Sequence, residues 1–457
     1  MKKLLLFILL LFINSQAYAL ISGSTVWEYR TTGAANNSGG FVSTASGTDY
    51  SQQNADQYNN ADLASTNGTT NPCGVTSALH TFAAADVGNL INITAGTNWT
   101  AGRYEIVSVA AGVATLDRAC GSVAVLASGT YYVGGAIDLM TDAIWELHEP
   151  GNIVYIKAGT YTLGGAISLT TADGTEADKI LIEGYNTSRG DNPTGTNRPL
   201  ITNGANAFVM ANYYLLRNLR FSTTTTPGVD LNGTGPIAYN VRSINTSAVS
   251  GRAAFNSSSR CSFINVEAIG TGCSGFADGG SAGYFVYRSY IHDSSTGIVG
   301  TTNNLQTFVK NILDTNTTGI SIAAVGGCRI VDNTFYNNTT GLSGSTPGAT
   351  VIVNNIFDTN TTGVNFTTTQ TSEFLDWNDF NGNGTDVSGV TKGDNDSTGA
   401  PGMDNPASGD FDVSATIANT GCPYPNAEAG TTNSQSYEEP GALQKSCVAT
   451  DVFGIIQ

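Results

Sequence analysis

The chain has 457 residues, a formal net charge of −17 and only 12% charged residues. Such a weakly acidic, charge-poor surface excludes a nucleic-acid partner, which needs a basic face, and argues against binding to anionic lipid. A chain of this length can bury a core without covalent staples.

Residues 1–19, "MKKLLLFILLLFINSQAYA", read as a secretory signal. Lys2 and Lys3 supply the positive start, Leu4 to Ile13 the apolar run, and Ala17-Tyr18-Ala19 the small-residue cleavage site. The run is too short to span a bilayer. The expectation is a mature chain from Leu20 that is secreted, to the extracellular space or the cell surface, with the periplasm as the other compartment. No membrane insertion is expected once the signal is cleaved. Without Lys2 and Lys3 the mature chain has 17 basic (19 − 2) and 36 acidic residues, a net −19. Seven Cys in an exported chain point to disulfides and one thiol left over. Cys73–Cys120 and Cys422–Cys447 are the natural local pairs. Cys261 could pair with Cys273, leaving Cys328 over.

Residues 20–135 read as a small antiparallel β module. From Phe82, "FAAADVGNLINITAGTNWTAGRYEIVSVAAGVATLDRACG" sets short strands between Gly-containing turns. The polar stretch from Thr31 to Asp62 reads as a surface loop or an extended lead-in. Next, in "AIDLMTDAIWELHEPG", Ile137, Met140, Ile144 and Leu147 recur at helical spacing. This predicts a cap helix over 138–148, with Asp138 at its N-cap and Pro150-Gly151 beyond its end.

Residues 136–445 carry the repeats, followed by a tail, 446–457. "NILDTNTTGI" begins at Asn311, "NTFYNNTTGL" at Asn333 and "NIFDTNTTGV" at Asn355. One Asn recurs at 311, 333, 355 and 378, and another at 316, 338, 360 and 383; Gly recurs at 319, 341 and 363. Weaker copies stand upstream, at a period of about 22–24 residues. Within a repeat the apolar groups, such as Ile330, Phe335 and Leu342, are too short for helices and are punctuated by Asn, Gly and Thr. Three short strands per turn make one coil of a parallel β-solenoid, in which each coil buries its apolar face on the next. The Asn columns are expected at corners, where Asn tolerates a left-handed backbone and can bond along the stack. The Gly column is expected at a second tight bend.

Three stretches carry a family resemblance: "GNIVYIKAGTYTL" (Gly151 to Leu163), "ILIEGYNTSRGDNPTGTNRPLIT" (Ile180 to Thr202), and the closing "GMDNPASGDFDVSATIANTG" with "EEPGALQ". Over about two-thirds of its length the chain resembles the right-handed parallel β-helix proteins of the pectin-lyase-like superfold. The 20–135 module resembles leader modules of phage-like and environmental β-helix proteins. The resemblance implies a fold; the superfold hosts lyases, hydrolases, esterases, adhesins and tailspikes alike.

No short catalytic motif is present, and three His in the whole chain leave little for a multi-His metal site. Chemistry on a solenoid is therefore sought in columns, where equivalent outward positions of adjacent coils stack about 4.8 Å apart. One column holds His292, Asp314, Tyr336 and Asp358, then Asn381. Its carboxylates and His could act as acid and base, and Tyr336 could stack on a sugar ring. A second column holds Arg288, Lys310 and Asp332. Lys310 with Arg288 would neutralise a uronate in β-elimination, with Lys310 or Tyr336 as base. The bland reading of both columns is a solvated strand face. "DFNGNGTD" places Asp379, Asn381, Asn383 and Asp386 like the start of a calcium loop, but Val390 stands where the loop's Glu belongs. Ca2+ is the one cofactor these residues suggest. The reading is an exported β-helix protein that binds a polysaccharide, whether or not it also cleaves it as a lyase or glycoside hydrolase. The alternatives are a non-catalytic, adhesin-like solenoid and, disfavoured by the signal, a tailspike.

Overall fold

The computed structural model describes residues 25–413, apart from 43–48, 170–171, 205–207, 225–226, 250, 258–259, 279–282, 301–305, 323–326, 346–349 and 369–373. The signal, the Cys422–Cys447 pair and the tail lie outside the described residues. Two compact units emerge: the described residues up to 139 with 147–155, and residues 140–146 with those from 156 onward.

The first unit holds a six-stranded antiparallel sheet, in the order Tyr58–Ser65, Leu126–Val133, Leu90–Ala95, Gly102–Ala110, Val113–Leu116, Cys73–Val75. Alternating apolar residues bury Leu63, Ile91, Tyr104 and Tyr131 against Phe82 and Trp99. The Cys73–Cys120 disulfide forms inside this core, with Cα atoms 5.9 Å apart. The polar lead-in is more than a surface loop: Asn37 and Ser38 are buried, and Arg103 donates to the carbonyls of Ala35, Asn37 and Ser38.

In the second unit each coil has three strands. One coil runs Gln306–Val309, Ile312–Asp314, Thr318–Ile322; the next runs Cys328–Val331, Thr334–Tyr336, Thr340–Gly344. Equivalent strands pair in parallel, giving three faces, of which the second and third are ten-stranded ladders. Inward residues stack in columns. Phe335 lies 4.6 Å from Phe357 and Phe357 lies 5.0 Å from Phe380, ring over ring.

Both Asn columns form buried ladders at the corners. Asn311 Nδ2 donates to Asn333 Oδ1 at 3.0 Å, Asn333 to Asn355 and Asn355 to Asn378 in the same way. Asn316, Asn338, Asn360 and Asn383 repeat this at the next corner. The left-handed residue is not the ladder Asn but the one before it. Lys310, Asp332 and Asn354 have φ near 57° at the first corner, and Thr315, Asn337 and Thr359 have φ of 53° to 59° at the second. The column thus divides two tasks: one residue bends the chain, and the next stitches the coils. The Gly column also differs from expectation. Gly319, Gly341 and Gly363 lie within third-face strands, and a Cβ on Gly341 would meet Gly363 O at 2.6 Å and Phe357 Cδ1 at 3.0 Å. Close approach of coils and the Phe stack, not a bend, demands Gly there.

The cap helix is a single turn, Asp142–Trp145, following Thr141 rather than starting at Asp138. Its side chains serve as the cap. Asp142 Oδ1 accepts from Ser168 N at 2.7 Å and Glu146 Oε2 accepts from Ala172 N at 2.9 Å, while Trp145 packs edge-on against Phe208. These carboxylates satisfy backbone donors at the open end of the solenoid. Cys261, Cys273 and Cys328 are buried thiols, so the Cys261–Cys273 pair does not form. Each lies beside its own partner: Ser257 Oγ for Cys261, the Asn245 carbonyl for Cys273 and Gln306 Oε1 for Cys328.

Candidate functional site

The register of the second face decides what points outward. Phe221, Ile291, Leu313, Phe335, Phe357 and Phe380 are buried, so their neighbours on either side face out. Two outward columns result. One pairs Arg220 with Arg242, Arg242 with Glu267 and Glu267 with Tyr290. The other pairs His292 with Asp314, Asp314 with Tyr336, Tyr336 with Asp358 and Asp358 with Asn381. The expected column therefore exists as an unbroken row.

The two columns meet at His292. Its Nε2 lies 3.3 Å from Glu267 Oε1, its Nδ1 lies 2.7 Å from Asp293 Oδ2, and its ring stacks on Tyr290 at 4.1 Å. Tyr290 donates its hydroxyl to Asp314 Oδ2 at 2.9 Å, and Thr315 Oγ1 donates to Asp314 Oδ1 at 2.6 Å. Arg242 Nε lies 2.9 Å from Glu267 Oε2. Burial works against a charged His292, but the Glu267 and Asp293 carboxylates outweigh it and raise its pKa. Burial likewise opposes ionisation of Glu267, which the His292 hydrogen bond and Arg242 overcome, holding its carboxyl below the usual range. Burial and then the Asp314 charge push the Tyr290 hydroxyl well up, and burial with Asp358 and Asp314 raises Tyr336. The patch thus contains a histidine held between two carboxylates, and tyrosines whose hydroxyls are harder to ionise than usual. Phe411 lies over it, 5.6 Å from the Tyr336 ring and 6.1 Å from Tyr290.

The other expected residues fall elsewhere. Asp358 is buried and accepts from Thr359 Oγ1 and Asn381 Nδ2. Arg288, Lys310 and Asp332 occupy the left-handed position of the first corner; Arg288 is exposed over the Tyr287 ring, and Asp332 is buried. The calcium loop does not assemble. Asp379 is buried and accepts from Ser397 Oγ, Asn381 donates to Asp358, Asn383 belongs to the second Asn ladder, and Asp386 pairs with Lys392 at 2.5 Å. Most of their oxygens and amides are used by the last coil; of the two Asp379 oxygens, Oδ2 has no hydrogen-bond partner among the described residues.

Arg198, Arg220, Arg242, Glu267 and Tyr290 escaped the sequence reading. They lie upstream of the strict repeats, where Arg242 and its partner Glu267 are 25 residues apart (267 − 242) rather than 22. Aligning "LLRNLRF", "YNVRSIN" and "INVEAIG" on their apolar residues would have found Arg220, Arg242 and Glu267.

A family described as periplasmic copper-binding protein (NosD) matches residues 206–399. No curated protein matches the chain. Among solved structures, pectate lyase Pel9A shares 14% identity over 68% of this chain and 92% of its own, with a TM-score of 0.50. The Agl-KA catalytic domain (9% identity, 73% of this chain and 77% of its own) and the catalytic domain of a GH87 α-1,3-glucanase variant with nigerose (10%, 75% and 84%) reach TM-scores of only 0.25 and 0.21. Fold and ladders together define a class, the right-handed parallel β-helix proteins. Within it, this chain is a β-helix of the pectin-lyase-like type preceded by an antiparallel β module.

Copper, named by the NosD description, finds no matching donor set here. Residues 206–399 contain one His, His292, which is held by Glu267 and Asp293, and the three thiols sit apart in the core. Among the described residues no group of three or more His, Cys, Asp or Glu could hold a metal.

Proposed function

We propose that this exported β-helix protein binds a polysaccharide along its second face, around His292, Asp314 and Tyr336. One observation carries the reading: strand register brings His292, Tyr290, Asp314 and Tyr336 into one partly exposed patch of charge and aromatic surface on successive coils. A stack of coils offers a polymer a regular row of such groups, and Tyr faces suit sugar rings. For cleavage, His292 is the candidate proton donor and Asp314 the candidate acceptor. Asp358, buried and already bonded, is a poor partner for hydrolysis, and Tyr336, its pKa raised, is a poor base for elimination.

A glycan array with the mature protein tests the reading. Tyr336→Ala should lower affinity for the best ligand at least tenfold while lowering thermal unfolding only slightly, by the loss of its ring contact with Phe411. Following reducing ends and unsaturated products on the same ligands tests cleavage; His292→Gln should remove turnover and spare binding. If the wild type retains no glycan on the array, the binding reading is lost and the solenoid stands as a scaffold.

A further inference from the structure

Three arginines crowd one end of the same face. Arg220 and Arg242 are directly opposed cross-strand partners, an arrangement that repels. Arg198, itself buried, reaches across to the Asn240 carbonyl at 3.0 Å with Nη1, and Arg220 Nε donates to the Arg198 carbonyl at 3.0 Å. Charge coupling links all three: Arg220 and Arg242 act on Arg198, and Arg242 acts on Arg220. Among the described residues, the carboxylate set against these guanidiniums is Glu267, which His292 shares.

Two of the guanidiniums are oriented by hydrogen bonds. Arg198 uses Nε and Nη1 on the carbonyls of Gly195 and Asn240, and Arg220 uses Nε and Nη2 on those of Arg198 and Thr196, whereas Arg242 Nε lies 2.9 Å from Glu267 Oε2 as an ion pair without a well-aligned hydrogen bond. Among the described residues, Arg198 Nη2, Arg220 Nη1 and both terminal nitrogens of Arg242 donate to nothing. Fixed forks with unused donors and excess positive charge are what an oxyanion requires. A carboxylate's two oxygens suit one fork; a tetrahedral oxyanion offers three or four oxygens to three.

We propose that Arg198, Arg220 and Arg242 form an anion subsite of the second face that takes a sulfate or phosphate ester group of the bound polymer. The polymer part rests on the function proposed above; the anion part does not. The ester is bound, not broken. The surrounding protein carries net negative charge, so the subsite confines anion attraction to one end of the face and would set the register of a substituted glycan.

The test is thermal unfolding of the mature protein in sodium sulfate, sodium phosphate and sodium chloride at equal ionic strength. Sulfate or phosphate should raise the Tm over chloride by about 3 °C at one hundred times Kd, for a cooperative unit of this size. The anion with the larger rise that both arginine variants abolish identifies the ester, since either salt also stabilises by exclusion from the surface. Arg242→Gln, which releases no backbone carbonyl, should unfold at the wild-type temperature in chloride and lose the anion-dependent rise; Arg220→Gln should also lose it. A second arm measures binding of dextran sulfate against unsubstituted dextran and polygalacturonate. Arg242→Gln should weaken dextran sulfate at least tenfold and leave dextran unchanged. Equal Tm in all three salts, or a rise that survives in both variants, overturns the subsite. So does dependence on Arg242 confined to polygalacturonate. An anion-dependent rise with no glycan binding upholds the subsite and rejects the polysaccharide reading, whereas glycan binding lost with Tyr336→Ala but untouched by Arg242→Gln does the reverse.

Discussion

Replacing Asn333 by Ala tests the ladders at mid-stack. Asn333 is fully buried. Its Oδ1 accepts from Asn311 N at 2.9 Å and Nδ2 at 3.0 Å, and its Nδ2 donates to Phe308 O, Val331 O and Asn355 Oδ1 at 2.9 to 3.0 Å. Some neighbours keep other partners after the change: Val331 O still accepts from Lys310 N, and Asn311 Nδ2 still reaches Val286 O. The Asn311 backbone N–H loses its partner inside the protein. A stranded buried donor costs roughly 1–3 kcal/mol and each further lost bond about 1 kcal/mol, so the expected loss is about 3–5 kcal/mol. Urea unfolding followed by circular dichroism measures it, and hydrogen exchange at the Asn311 amide should accelerate with it. Asn333→Asp sharpens the test. It keeps the acceptor for Asn311 but removes the donor and buries a charge, so it should be as damaging at pH 7 and recover when acid restores a proton. A loss below about 1 kcal/mol for Ala, or an Asp variant indifferent to pH, would refute the ladder as a source of stability.

Three further outcomes follow from the geometry. Gly341→Ala should destabilise by about 1–3 kcal/mol or more, because its Cβ has no room beside Gly363 O; wild-type stability would mean the coils can separate. Phe335→Ala, in the ring stack, should cost about 3–5 kcal/mol in the same urea assay, and under about 1 kcal/mol would deny its inward role. His292→Gln concerns pH. Carboxylate partners raise the folded-state pKa above the unfolded value near 6.5, so this contribution is full below about pH 6.5 and fades as pH rises through the raised pKa. Wild type should lose stability relative to His292→Gln across that rise, and parallel stability curves would reject the ion cluster.

What the sequence made legible follows from how much of each position backbone packing dictates. Asn333, Gly341 and Phe335 recur because every coil presents the same corner, the same close approach and the same slot. Their spacing therefore revealed the solenoid and its register. The spacing did not reveal which physical demand each met. Asn333 and left-handed Asp332 are neighbours, and a 22-residue period fits bending at either one. Gly341 looked like a turn residue because a missing side chain reads alike for a bend and for a close contact. The arginines keep the 22-residue count (220 − 198 and 242 − 220), but their coils lack the Asn-Thr-Thr-Gly phrase that flagged the later ones, and Glu267, 25 residues after Arg242, slides off a fixed count. Cys261 and Cys273 are near in sequence, but each thiol has its own neighbour in the core.

The end of the solenoid also bears on the site. In the first ladder each Asn donates onward to the next coil, so the last, Asn378, needs an acceptor and has no further Asn. Asp396 takes that place: Asn378 N and Nδ2 donate to its Oδ1 at 2.7 and 3.1 Å, and Gly393 N to its Oδ2 at 2.8 Å. Burial raises the pKa of this carboxyl, while these donors favour its charged form. A carboxylate suits the position because it accepts twice and leaves no donor stranded. The next residue, Ser397, donates to Asp379, and its carbonyl accepts from Phe380 N, covering the exposed edge of the second face. From that edge the chain continues to the hairpin of Met403–Asn405 with Asp410–Val413, which sets Phe411 over Tyr336 and Tyr290. The ladder that holds the coils together thus also fixes where the chain leaves them, and so which rungs of the outward column are covered by an aromatic ring.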